Sequence, residues 1–387
     1  MFSGYSRNFW LMSVAMFLFM TSFNLILPEL NDFITLLGGE DQKGLIITLF
    51  TISAAISRPY SGKLADHIGR KKVMIFGIGI SLIISLLYPL VLSVGFFLVL
   101  RFLHGFSVGF MPTGATALIT DILPEDRRGQ GMGIWGTFTS LGIGVGQSLG
   151  SFITMHLGLD NLFLFATGFT AISALLVGYV RETLQNRQKF SSKQLIIDRQ
   201  DIMEPSVLPA AMVMLLTAPA SGIIFILTPD MSKFMGIPNK GWFLGIYVIS
   251  TILIRLFTGT LSDKIGRRKT LTIGTVILII SLIYTGLSNE FVHFTLSSLL
   301  FGVATGIMSP TLFAWTADLS PSHRRGVGAG TMFIALEIGI MIGSSSTILT
   351  YDSTPETVFA GFSVGVVLAV AALLYLLWHQ KYCHSDT

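Results

Sequence analysis

Residues 62–72 read GKLADHIGRKK, and residues 259–269 read GTLSDKIGRRK. Each string carries a glycine, an aspartate four positions on, a second glycine and a run of bases. Each stands between two long apolar runs, in a chain of 387 residues of which only 12% are charged. A dense knot of charge that occurs twice in such a chain sets two questions: what surrounds it, and why it recurs.

The surroundings are a membrane. A soluble protein carries about 25% charged residues, whereas this chain is 51% hydrophobic and cannot cover a water-soluble globule with polar surface. Charge-poor stretches of about 20 residues, the length a spanning helix needs, recur throughout. Twelve spans are predicted, at 9–30, 44–63, 73–93, 96–118, 131–155, 162–180, 206–229, 241–261, 270–288, 292–316, 328–350 and 357–378. The polar segment 181–205 divides an N-terminal set of six (1–180) from a C-terminal set (206–387). The net charge of +4 points to no nucleic-acid partner in a membrane chain. The single cysteine, Cys383, permits no intrachain disulfide, and no zinc-ligand spacing is present. No cleavable signal pattern precedes the first span.

Lysine and arginine orient the spans. With the N-terminus inside, nineteen of the 25 basic residues fall in inner segments, among them Arg7, Lys63, Arg70, Arg127, Lys264, Arg267, Arg324 and Lys381. Only Lys43, Lys233 and Lys240 fall outside, and Arg58, Arg101 and Arg255 lie within spans. Both termini, the central linker and the two quoted strings are therefore expected on the cytoplasmic side. Topology explains the lysines. It does not explain the glycines, the aspartates or the recurrence.

A shift of 197 residues superposes the halves without a gap. Arg58 meets Arg255, Gly62 meets Gly259, Asp66 meets Asp263, and Gly69 with Arg70 meets Gly266 with Arg267. Asp121, Pro124, Arg127 and Arg128 meet Asp318, Pro321, Arg324 and Arg325. Glycines 105, 109, 133, 142 and 146 meet 302, 306, 330, 339 and 343. The expectation is an all-α membrane protein whose twelve transmembrane helices form two pseudo-symmetric six-helix bundles, the parallel-repeat plan of rocking transporters.

The two strings resemble the G-x-L-a-D-r-x-G-r-k loop motif of the major facilitator superfamily. RFLHGFSVG (101–109) is similar to that family's fourth-helix R-x-x-x-G motif. GIGVGQSLGS (142–151) resembles the fifth-helix motif of its drug/proton antiporter branch, with Gln147 where proline is usual and Ser151 for the last glycine. The resemblance covers essentially the whole chain and implies a bacterial inner-membrane transporter, monomeric, without cofactor.

Gly62 is read as the end of span 2 and Gly69 as the turn into span 3, where glycine permits positive φ and close helix approach. The resemblance implies that Asp66 faces the free amides and positive dipole end of span 11, near Gly326. It further implies that Arg70 pairs with Asp121, and that Asp263, with Gly259 and Gly266, repeats the arrangement toward span 5 while Arg267 pairs with Asp318. Arg127 and Arg324 join the same cytoplasmic gate. Such contacts exist only when the cytoplasmic ends of the bundles are close. They would stabilise the outward-open state and break for inward opening.

Ionisable residues inside spans are costly and usually functional. Glu337 has Ser140 as its repeat partner, and Arg101 has Ser298. A charge present in one half alone reads as substrate or ion handling. Glu337 is the expected proton carrier, because burial disfavours its charged form. The resemblance ties Arg101 to proton relay or to contact with a substrate anion. It also places spans 1, 4, 7 and 10 around a central cavity, so Asn24 and His104, with Gln147 and Tyr247, are the candidate substrate contacts. Glu29 and Asp230 read as helix exits. Met12, Met16 and Met20 form a thioether row without a supporting Cys or His, so no metal site is assigned. No Walker-type loop is present, which argues against ATP-driven pumping. The reading is a secondary transporter, not an enzyme. It moves small organic molecules by alternating access, with proton-coupled efflux first, nutrient symport second and an uncoupled facilitator or channel third.

Overall fold

The computed structural model describes residues 4–39, 42–237, 242–352 and 354–382. Every long apolar run is a helix, since a backbone in hydrocarbon must satisfy its own hydrogen bonds. In chain order these are α1 (Arg7–Ile26), α2 (Lys43–His67), α3 (Arg70–Leu87), α4 (Val94–Ile122), α5 (Arg128–Leu157) and α6 (Leu159–Tyr179). The second set is α7 (Leu208–Thr217 and Pro219–Phe234), α8 (Trp242–Ile265), α9 (Arg267–Gly286), α10 (Phe291–Leu319), α11 (Arg325–Thr350) and α12 (Val358–Tyr382). Among the described residues nine spans are long and apolar enough to cross a membrane; α2, α5 and α8 complete the twelve.

Local chemistry sets the ends. Ser6 and Ser93 cap α1 and α4 by accepting the amides of Phe9 and Phe96, both at 3.3 Å. Pro219 lacks an N–H and starts a new helical segment within α7. At the basic end, α2 turns into α3 at Gly69 (φ 119°), and α8 into α9 at Gly266 (φ 91°). These are backbone positions that L side chains rarely adopt. One expectation is corrected here: Gly62 does not end span 2. Helix α2 continues through it to His67, carried by Lys63, Leu64 and Ala65, which are good helix formers, and it stops before the turn at Gly69.

The two sequence halves pair their helices alike. In the first, α2 packs on α4, α3 on α4 and α6, and α1 on α6. In the second, α8 packs on α10, α9 on α10 and α12, and α7 on α12. Large apolar side chains remain exposed along α3 (Ile75, Phe76, Ile83), α6 (Leu164, Phe165, Leu175), α9 (Ile273, Ile280) and α12 (Val367, Leu374). In water such faces would associate; in a bilayer they meet lipid.

The chain resolves into two compact units whose borders depart from the sequence halves. The first comprises the described residues of 1–123, 138–205 and 320–333. The second comprises those of 124–137, 206–319 and 334–387. Each unit thus contains the opening turns of a helix from the other half of the sequence, α11 in the first and α5 in the second. The linker 181–205 belongs to the first unit.

Candidate functional site

At the basic end of the first unit, Asp66 is the penultimate residue of α2 and faces the start of α11. Its Oδ1 accepts the amide of Gly326 at 2.7 Å, and its Oδ2 accepts that of Val327 at 2.9 Å. The first amides of a helix have no intrahelical partner and carry its positive dipole end, so a carboxylate is the group that satisfies them. Arg70, at the start of α3, donates to Asp66 at 2.6 Å and to Asp121 at the end of α4 at 3.3 Å. The other oxygen of Asp121 accepts from Arg325 at 2.7 Å. Two acids and two arginines therefore form a chain that ties α2, α3 and α4 to α11.

Close approach makes this possible. A Cβ at Gly62 would lie 2.9 Å from the Gly326 carbonyl oxygen and 3.0 Å from the Val327 Cα. Backbone cannot retreat from that contact, so the crossing requires glycine.

The second unit repeats the constellation. Asp263 accepts the amides of Gly129 and Gln130 at the start of α5, at 2.9 and 3.0 Å. Arg267 bonds to Asp263 and, at 2.8 Å, to Asp318. Asp318 also takes Arg128 at 2.6 Å. The copies differ in solvation. Side-chain exposure is 2% for Asp66, 1% for Arg70 and 13% for Asp121, against 11% for Asp263, 12% for Arg267 and 32% for Asp318.

The linker makes that difference. Glu182 caps the start of α3 by accepting the amides of Arg70 and Lys71 at 3.1 and 3.0 Å, and Thr183 donates to Asp121. Asp201 pairs with Lys63 at 2.6 Å, and Glu204 pairs with Arg324. A cavity of about 770 Å³ lies beside the first cluster, lined by Asp66, Arg70, Asp121, linker residues and Arg325.

Two gate assignments are corrected. Arg127 is solvent-exposed, and among the described residues its ion-pair partner is its neighbour Asp126, at 3.7 Å. Arg324 turns to the linker acid Glu204 instead of to Asp121. The second arginine of each Arg–Arg pair makes the cluster, because it is the first residue of its helix while its predecessor lies in the preceding 3-10 turn. The 197-residue repeat aligns both arginines of each pair and gave no means to choose. Nothing in the linker's composition pointed to Glu182, Asp201 or Glu204. Gly259 lies outside the residues whose surroundings are described.

The sequence model of the Major Facilitator Superfamily matches residues 9–238 and, a second time, 210–382. The chain belongs to this superfamily. A multi-drug resistance efflux pump PmrA homolog of Lactococcus lactis is 25% identical over 338 residues, 83% of this chain and 82% of that protein. Multidrug resistance protein 2 of Bacillus subtilis is 26% identical over 380 residues, 92% and 91% of the two chains. The crystal structure of the human organic anion transporter MFSD10 shares the fold, with a TM-score of 0.85 over 96% of this chain and 99% of that one, at 18% identity. The protein is thus an integral membrane transporter of the superfamily and not an enzyme.

The superfamily chain also carries polar groups between its basic and opposite ends. Arg101 is fully buried on α4. It donates to the Ile46 carbonyl and to the Tyr88 hydroxyl, both at 3.4 Å, and lies 4.6 Å over the Phe50 ring. His104 is enclosed with it, its Nε2 3.2 Å from the Ser81 hydroxyl and its Nδ1 3.1 Å from the Tyr88 hydroxyl. This corrects its placement at a substrate cavity: both ring nitrogens are engaged inside the first unit. With the Tyr88 hydroxyl oxygen accepting from Arg101, its O–H is free to donate to Nδ1, which leaves the Nε2–H of His104 to donate a hydrogen bond to the Ser81 hydroxyl.

Asn24 donates to Met20 of its own helix at 2.9 Å and packs on α5 at Gly146. Tyr247 packs on Phe301 with ring centroids 5.2 Å apart. The side chain of Gln147 lies outside those described. Glu337 is half-buried on α11, in the part of that helix belonging to the second unit.

Arg58 and Arg255 reach equivalent positions. Arg58 lies 4.2 Å over the Phe333 ring and donates to Thr113 at 3.0 Å. Arg255 donates to the carbonyl of Gly136, the repeat partner of Phe333, and to Ser309 at 3.0 Å. At the opposite end Asp230 accepts from the Tyr351 hydroxyl at 2.9 Å; burial and this carboxylate hold the phenol above its usual range. Among the described residues no group of three or more His, Cys, Asp or Glu is placed to hold a metal ion.

Proposed function

We propose that the protein exports small organic molecules by alternating access, in exchange for protons, with its basic end in the cytoplasm. The observation that carries this reading is the doubled cluster, in which an acid on α2 or α8 holds the first amides of a helix from the other sequence half. Contacts of this kind hold one conformer and must be given up to reach the other. They are few, and each is worth only about 1–3 kcal/mol, which suits a gate that opens repeatedly. Relatives that carry the names of multidrug efflux pumps support the outward direction. In this reading the residues Gly62, Asp66, Gly69, Arg70 and Asp121, with their repeat partners, are the cytoplasmic gate, joined by Arg128 and Arg325.

Glu337 is the proposed proton carrier, since its repeat partner is a serine. Arg101, a buried cation held by neutral partners, is the proposed partner in proton handling. Purified protein in proteoliposomes with an internal pH dye tests the reading against a panel of lipophilic cations and organic anions. Proton movement opposite to the substrate supports export; movement alongside it overturns the direction in favour of uptake. Glu337→Gln is expected to retain substrate binding and lose proton-driven accumulation. Unimpaired uphill transport in that variant removes Glu337 from the coupling step.

A further inference from the structure

We propose that the central linker, residues 181–205, is a membrane-surface element that lies on anionic lipid. The segment sorts its charges by sign. Its acids turn inward: Glu182 caps α3, Asp201 holds Lys63, and Glu204 holds Arg324. Its described bases turn outward: Arg181, Arg187, Lys189 and Lys193 are all exposed. Among the described linker side chains Asp198 is the one exposed acid, and it caps a short helix by accepting the Asp201 amide. The free face of the linker is therefore cationic even though its composition is mixed.

That face is also apolar. Phe190, Leu195, Ile196, Ile202 and Met203 are between 41% and 63% exposed. Large apolar side chains at that density are uncommon on a water-facing connection and mark contact with another phase or molecule. Cations interleaved with Phe, Leu and Ile are the pattern of a segment lying in the headgroup region, where the stems and rings enter the acyl boundary and the charges stay at the phosphates. The bilayer is also the surface within reach, since the segment starts two residues after α6 and runs directly into α7. An oppositely charged bilayer fits both features at once, whereas a protein partner would have to supply an acidic and an apolar face together. Lys63 and Arg324 pin the same segment to α2 and to the 3-10 turn that precedes α11. Attachment to the surface therefore brings anionic lipid beside the first acid–arginine cluster.

The test uses the full chain in nanodiscs, with nitroxide labels at Ile196→Cys and, separately, Phe190→Cys in a Cys383→Ser background. Gln185→Cys, on the exposed polar part of the linker, serves as the aqueous reference. In discs containing phosphatidylglycerol, the labels at 190 and 196 are expected to favour collision with oxygen over a water-soluble nickel chelate, relative to the label at 185. That preference is expected to fall in phosphatidylcholine alone. Lys189→Gln and Lys193→Gln should each lower the anionic-lipid preference about fivefold, from roughly 1 kcal/mol per basic residue near a charged surface. Equal access of the chelate to all three sites in anionic discs overturns the proposal. So does protection of 190 and 196 from both reagents, which would place a protein surface there. The two label sites and the charge variants lie on the exposed face, so misfolding of one leaves the others as independent readings.

Discussion

Replacing Asp66 with asparagine separates the two clusters by size of effect. Asparagine keeps the shape of the side chain and one acceptor oxygen. Its NH₂ then faces an amide hydrogen of Gly326 or Val327, donor against donor, and the charge opposite Arg70 is gone. Arg70 is 1% exposed and would be left with Asp121 as its one described carboxylate partner. Loss of a charge-assisted bond, plus a partly uncompensated buried cation, comes to about 3 kcal/mol, or roughly a hundredfold in the latched-to-unlatched ratio. The same change at Asp263 acts where Arg267 is 12% and Asp318 32% exposed, and water replaces much of what is lost. About 1–1.5 kcal/mol, roughly tenfold, is expected there. Spin labels at Lys72→Cys and His323→Cys, both exposed in the first unit, report the separation of α3 from the start of α11 by pulsed dipolar spectroscopy. Asp66→Asn is expected to convert a narrow short-distance population into a mixture with a longer one. An unchanged distribution in correctly folded protein, or labels across the second cluster responding to Asp263→Asn more strongly than this pair does to Asp66→Asn, would show that Asp66 does not hold α11 in place.

Three further outcomes follow from the same geometry. Arg325→Gln and Arg128→Gln should reduce transport several-fold, whereas Arg127→Gln should leave it near wild type, as initial rates in proteoliposomes will show; a silent Arg325→Gln contradicts the assignment. Gly62→Ala places a methyl against the Gly326 carbonyl and Val327 Cα and should lengthen the Lys72–His323 distance as Asp66→Asn does. It leaves every charge in place, so a response that vanishes at low ionic strength would argue against a steric cause. Tyr88→Phe deprives His104 and Arg101 of their shared hydroxyl and should lower stability by about 1–3 kcal/mol, read as a fall in Tm; Ser81→Ala, which removes a partner of His104 and leaves Arg101 untouched, should cost less.

Much of this architecture was legible in the chain because it is written in local and periodic signals. Apolar run length marks the spans, and the bias of lysine and arginine marks the ends. A register that survives a 197-residue shift reveals the duplication. The same register singled out Asp66, Arg70 and Asp121 with Asp263, Arg267 and Asp318, because a charge kept in both halves is part of what the halves share. Where two like residues stand side by side, as at Arg324–Arg325, that signal is degenerate. The choice fell to where the helix begins. The linker acids lie between the two aligned halves, so the repeat says nothing of them.

From the amino-acid order one could derive twelve helices, two matched halves and the chemistry gathered at one end, since these depend on neighbours in sequence and on transfer from water to lipid. Tertiary packing alone decided that Glu204 would take Arg324, that His104 and Arg101 would share Tyr88 inside the first unit, and that Glu182, Asp201 and Glu204 would turn inward while Arg187, Lys189 and Lys193 stay exposed. Each of those outcomes is a contact between groups far apart in the chain, and such a partner is chosen by which faces meet once the helices have packed.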